Sequence, residues 1–154
     1  MDERVAKLKS PEDCERFAKN ALDRDRQDLA DQAKKKAVEL RAAAFGGKTD
    51  AERQCLEAIF AHEEVLMAQN GRRTPLTRTQ KMLERYGIIG AVERAVNRKA
   101  EAAEYAALLK MGLQDYAFEA VVIRHPTLFS ANTLARSQDR LDGWKVAETA
   151  PQQG

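Results

Sequence analysis

Apolar residues in this chain recur every three or four positions, and no stretch of six or more residues alternates apolar with polar. A half-buried strand needs that alternation, whereas a helix with one buried stripe needs the three-and-four spacing. Cys14, Phe17, Ala18, Ala21 and Leu22 give the pattern plainly, at i, i+3, i+4, i+7 and i+8. Val, Ile and Thr are sparse beside Ala, Leu, Glu, Lys and Arg, the residues that lose least on entering a helix. The fold class is therefore all-α, a compact bundle of about seven helices with an N-terminal helical hairpin and a central buried helix.

Stop and start signals divide the chain. Ser10-Pro11-Glu12-Asp13 opens a helix, with Ser10 as N-cap, Pro11 in the first turn and two acids facing the positive end of the dipole. After a lapse at Asp23–Asp28 the stripe resumes with Leu29, Ala33, Ala37 and Leu40 and stops at Gly46-Gly47. Thr49 and Glu52 form a capping box for a third helix, which carries Cys55, Leu56, Ile59, Phe60, Leu66 and Met67 inward and ends at Asn70-Gly71. Thr77 and Gln80 predict another capping box, for a short helix closing at Gly87. The next helix buries Ile88, Ile89, Val92, Ala95 and Val96, and a further one runs from Ala100 to Lys110. Leu113–Ile123 is apolar on nearly every side and is expected to be the hub. Arg124-His125-Pro126 ends it, and Ser130 caps a last helix that Gly143 closes. The expected organisation is a flexible arm at 1–9, one helical domain at 10–143 and a disordered tail at 144–154.

Charge is distributed unevenly along this frame. Between Asn70 and Lys99 stand Arg72, Arg73, Arg78, Lys81, Arg85, Arg94, Arg98 and Lys99 against Glu84 and Glu93 only. Eight cations less two carboxylates is +6 in a chain whose total is +2, so the remainder sums to −4. At ~100° per residue, Arg78, Lys81 and Arg85 fall on one helix face within about 60°. Thr74, Thr77, Thr79, Gln80 and Asn97 interleave with the cations, which is the composition a phosphate-binding surface uses. The expected nucleic-acid contacts are Arg72, Arg73, Arg78, Lys81, Arg85, Arg94, Asn97, Arg98 and Lys99. Against this stands a pI of 8.6, below that of most dedicated nucleic-acid domains.

Other chemistries lack their motifs. His62-Glu63-Glu64 has Leu66 where a zinc protease needs its second histidine and Ile59 where a di-iron site needs its glutamate. His125 beside Arg124 suits a helix C-terminus and has no nucleophile placed with it. Cys14 and Cys55 sit among apolar residues as buried free thiols. There is no Walker loop and no dinucleotide glycine pattern, so no cofactor and no catalytic residue are expected. An apolar pocket with convergent polar groups is the feature that an enzyme would require. The N-terminus has no apolar signal core and no run is long enough to span a membrane, which predicts a cytoplasmic protein without a membrane partner.

Helix, Gly87, helix resembles a helix-turn-helix in part. Aligning Gly87 with the turn glycine puts Met82, Ile88 and Val96 at positions normally apolar, but Leu83 where a small residue belongs and Glu93 where an apolar one does. Over roughly the C-terminal half, RTQKMLERYGIIGAVERAV and MGLQDYAFEAVVIRHPTLFS resemble stretches of small uncharacterised bacterial helical proteins. That resemblance implies a bacterial source and carries over no site residue. The leading expectation is a non-enzymatic protein that binds the backbone of DNA or RNA through its basic helix pair. The alternative is a protein-interaction module (adaptor, inhibitor or antitoxin-like) whose acidic N-terminal hairpin or basic helices complement a charged partner protein. Self-association as a homodimer through the hairpin is left open by the sequence.

Overall fold

The computed structural model describes residues 1–98 and 102–149, and every regular element among them is helical. In chain order these are α1 (Glu3–Ala6), α2 (Pro11–Asp23), α3 (Gln27–Ala44), α4 (Asp50–Asn70), α5 (Leu76–Tyr86), α6 (Ile88–Asn97), α7 (Ala102–Lys110), α8 (Phe118–Arg124) and α9 (Ala131–Thr149), with single 3-10 turns at Gln114–Tyr116 and Pro126–Leu128. The all-α class holds. The described helices outnumber the expected seven; α1 lies in the expected arm, and the short α8 is what remains of the expected hub helix.

The hairpin forms from α2 and α3. Ser10 Oγ accepts the Asp13 N–H at 3.1 Å and so caps α2 as its sequence predicts. Ala18, Ala21, Leu29, Ala30 and Ala33 make a small-residue core between the two helices. The connection turns at Asp25, whose φ of 57° is the left-handed conformation that aspartate tolerates better than most residues. Residues 1–9, expected as a flexible arm, include α1 packed on α3, with Val5 fully buried and the Asp2 N–H donating to Gln32 Oε1 at 2.6 Å.

The central helix is α4, not the Leu113–Ile123 stretch. Residues Cys55 to Ala61 are buried without a break. Leu56, Phe60, Ala61 and Val65 pack one way, with Val38, Leu108, Leu113 and Leu141. Cys55 and Ala58 pack another way, with Val92, Val96, Val121 and Val122. α3, α6, α7 and α8 all lie against it. Residues 113–123, by contrast, break at Ala117, where the backbone extends (φ −57°, ψ 142°) between a 3-10 turn and the seven-residue α8. All-round apolarity is satisfied there by a bend: Leu113 and Ala117 enter one cluster, Val121 and Val122 the other.

At the C-terminal end, Ser130 Oγ accepts the Thr133 N–H at 3.2 Å, as expected of the cap. Gly143 does not end α9, which continues to Thr149. A glycine inside a helix costs about 1 kcal/mol relative to alanine, and packing on either side outweighs it. Leu141 is buried and the Trp144 ring stacks on Tyr105 at 4.9 Å between centroids. Only 144–149 of the expected tail are described, and they are helical.

Candidate nucleic-acid interface

The basic stretch begins where α4 stops at Gly71, whose φ of 71° turns the chain out of the helix. Arg72 is exposed in the linker. Arg73 is not: it folds back, its Nη1 donating to Glu64 Oε1 at 2.8 Å and its Nη2 to Glu15. Arg41 of α3 reaches the same two carboxylates, at 2.7 Å to Glu64 and 2.6 Å to Glu15. Two guanidinium groups and two carboxylates thus close a neutral ring joining α2, α3, α4 and the linker. Glu64 and Arg41 are largely buried, with side chains 10% and 11% exposed. This takes Arg73 out of the set of free cations.

α5 starts two residues earlier than its predicted capping box requires. Pro75 occupies the N-cap, no side chain caps the helix, and Thr77 lies within its first turn. Thr79, expected on the outer surface, is buried and donates its hydroxyl to Glu63 Oε1 at 2.5 Å. Burial raises the Glu63 carboxyl above its ordinary range, and the Thr79 bond works against that rise. This buried pair fixes how α5 is rotated against α4. Arg78, Lys81 and Arg85 then face solvent, while Met82, Leu83 and Tyr86 are half-buried, as the helical wheel requires.

One residue, Gly87, closes α5 and opens α6. Its φ of 74° with ψ of 168° is a backbone conformation essentially restricted to glycine. Across that corner the two helices bring their cations together. The Arg85 guanidinium carbon lies 5.3 Å from the centre of the Tyr86 ring and that of Arg94 lies 4.5 Å from it. Tyr86, half-buried beside these cations, is the organising group of this surface. Its position next to Arg85 was the available signal. Among the described residues, Arg72, Arg78, Lys81, Arg85 and Arg94 form no ion pair.

At the far end of α6 the side chains bond to neighbouring elements, although Asn97 and Arg98 stay exposed. Glu93 Oε1 accepts the Ser130 N–H at 2.8 Å and the Thr133 hydroxyl at 3.1 Å, and the Ser130 bond foremost holds its carboxyl below the ordinary range. Asn97 Nδ2 donates to the Glu93 carbonyl and to Thr133 Oγ1, each at 2.8 Å. Arg136 donates to the Asn97 carbonyl, and Arg140 to those of Val96 and Arg98, so two α9 arginines satisfy the end of α6. Arg98 Nη2 approaches His62 Nε2 at 3.3 Å. Burial and the Arg98 charge both push the His62 pKa down. Asn97 and Arg98 therefore serve the α4–α6–α9 packing, and Lys99 lies outside the described residues.

Elsewhere, Cys14 and Cys55 are buried free thiols, and burial pushes Cys55 up to about 12, far from a thiolate at neutral pH. Among the described residues no group of three His, Cys, Asp or Glu could hold a metal ion, and no helix is long and apolar enough to cross a membrane. His62, Glu104 and Glu119 border a cavity of about 20 Å³, room for one water-sized molecule. The chain matches none of the protein-family models, curated proteins or solved structures with which it was compared.

Proposed function

We propose that this is a non-enzymatic, cytoplasmic nucleic-acid-binding protein that holds a phosphate backbone with Arg72, Arg78, Lys81, Arg85 and Arg94. One observation carries this reading: guanidinium groups from two successive helices converge on a single ring, Tyr86, in line with an exposed cationic face of α5. Cations held close together without carboxylate partners repel one another, and an anion relieves that repulsion. A row of them fits a polyanion, which gains by releasing its condensed counterions. Arg73 is neutralised by Glu64 and Glu15, and Asn97 and Arg98 are hydrogen-bonded to other elements, so these three are left out of the proposed contact.

The test is duplex binding across a salt series, comparing the native chain with the triple variant Arg78→Gln, Lys81→Gln, Arg85→Gln. Affinity should fall with salt for the native chain. In the triple variant the salt slope should shrink by about 3, one for each phosphate the variant no longer neutralises. Absence of binding at low salt would reject the proposal. A specific partner protein recovered from nuclease-treated lysate, and not recovered with the same variant, would replace it with the interaction-module reading.

A further inference from the structure

Resting on that proposal, we infer that the ligand is a double-stranded nucleic acid gripped by its backbone alone, without base readout and without single-strand stacking. Base readout by a pair of short helices needs the second to lay a free outer face in the major groove. On α6 that face is short and most of its polar groups are already engaged. Glu93 and Asn97 are bonded to Ser130 and Thr133, and Arg136 and Arg140 cover its last carbonyls. Arg94, Asn97 and Arg98 are exposed at this end. The Asn97 amide, however, is taken up by Glu93 and Thr133, Arg98 reaches back to His62, and the Arg94 guanidinium rests by Tyr86.

A single strand is held in another way, by bases stacked on exposed aromatic rings. Of one tryptophan, three tyrosines and five phenylalanines, none is exposed. Tyr86, the aromatic residue of this surface, is half-buried and attended by Arg85 and Arg94. Point charges along a straight helix face are left to do the binding. Arg78 to Arg85 spans about 10 Å at ~1.5 Å per residue. Such a row is best matched by the backbone with the higher charge density, which is the duplex. If these five cations each neutralise one phosphate, the logarithmic salt slope is about −4.5, at ~0.9 per phosphate.

Fluorescence anisotropy with the full chain tests this on four probes: two DNA duplexes of equal length and opposite base composition, an RNA duplex, and one DNA strand alone. The two DNA duplexes should bind within about threefold of each other with parallel salt slopes, and the lone strand about tenfold more weakly. An RNA duplex bound as well as or better than DNA also supports a grip on double-helical backbone. A preference above about tenfold between the DNA duplexes that Arg94→Ala abolishes would overturn the inference, because a base-reading contact is worth that much. So would a single strand bound as tightly as a duplex. Both of those results leave nucleic-acid binding standing, whereas no binding to any probe at low salt removes the underlying proposal as well.

Discussion

Arg73 and Arg78 belong to one basic run, yet the molecule treats them as opposites. Arg73 stands over Glu64 and Glu15, two carboxylates supplied by other helices, and becomes part of the packing. Arg78 opens the exposed face of α5 and has no carboxylate partner among the described residues. The difference is one of surroundings, since residue type and local charge are the same. A cation's role is set by whether the chain folds an acid beneath it.

The largest expected effect lies on the locked side. Glu64→Ala removes the buried carboxylate shared by Arg41 and Arg73 and leaves two part-buried guanidinium groups with only the more exposed Glu15 between them. Urea denaturation should show a loss of about 3 kcal/mol. Arg73→Gln, which leaves the Arg41–Glu64 pair intact and affects a more exposed partner, should cost about 1 kcal/mol and leave duplex affinity unchanged. Equal weakening of duplex binding by Arg73→Gln and Arg78→Gln would erase the contrast.

Gly87→Ala should come next. Nothing lies within 4 Å of the added methyl group, so any cost is backbone strain rather than a clash. About 1–3 kcal/mol is expected, with weaker duplex binding as Arg94 loses its register against Arg85. An unchanged melting temperature would show that the corner relaxes freely. On the free side, the triple glutamine variant of Arg78, Lys81 and Arg85 should change stability by no more than about 0.5 kcal/mol per site. A larger loss would mean that these side chains have structural work after all.

The smallest effect is in pH dependence. Burial foremost raises the carboxyls of Glu57, Glu63 and Glu119 above the ordinary 4.5. The folded chain then binds more protons than the unfolded one, so these groups favour folding at pH below 4.5 and that contribution is lost as pH rises through their raised values. Glu119→Gln, measured by thermal unfolding from pH 5 to pH 8, should flatten this decline by a fraction of its size. A steeper decline in the variant would reverse the sign. Glu93 runs the other way, its depressed carboxyl favouring folding above 4.5 and losing that effect in acid.

Several elements were legible because their causes are local. The Ser10 and Ser130 caps, the stop at Gly71 and the outward face of α5 each follow from a few neighbouring residues. The hub was misplaced for a physical reason. In α4, Glu57, Glu63 and Glu64 look like a solvated face in sequence, yet all three are buried, with Glu63 held by Thr79 and Glu64 by two arginines. Hydrophobic periodicity cannot see a buried charge whose partner comes from elsewhere. At the candidate site, the exposure of Arg78, Lys81 and Arg85 was readable from helix geometry. The neutralisation of Arg73 and the hydrogen bonds of Asn97 and Arg98 were not, because Glu15, Thr133 and His62 come from distant segments.

By itself, then, the sequence determined that the chain is helical, where most helices begin and stop, and that positive charge gathers in its middle. Those properties depend on contacts within one or two helical turns. Only the tertiary structure decided which helix is central and which of the gathered cations stay free. Both are settled by groups far apart in the chain meeting at hydrogen-bonding distance, where an acid beneath an arginine cancels its charge and an empty surface leaves it whole.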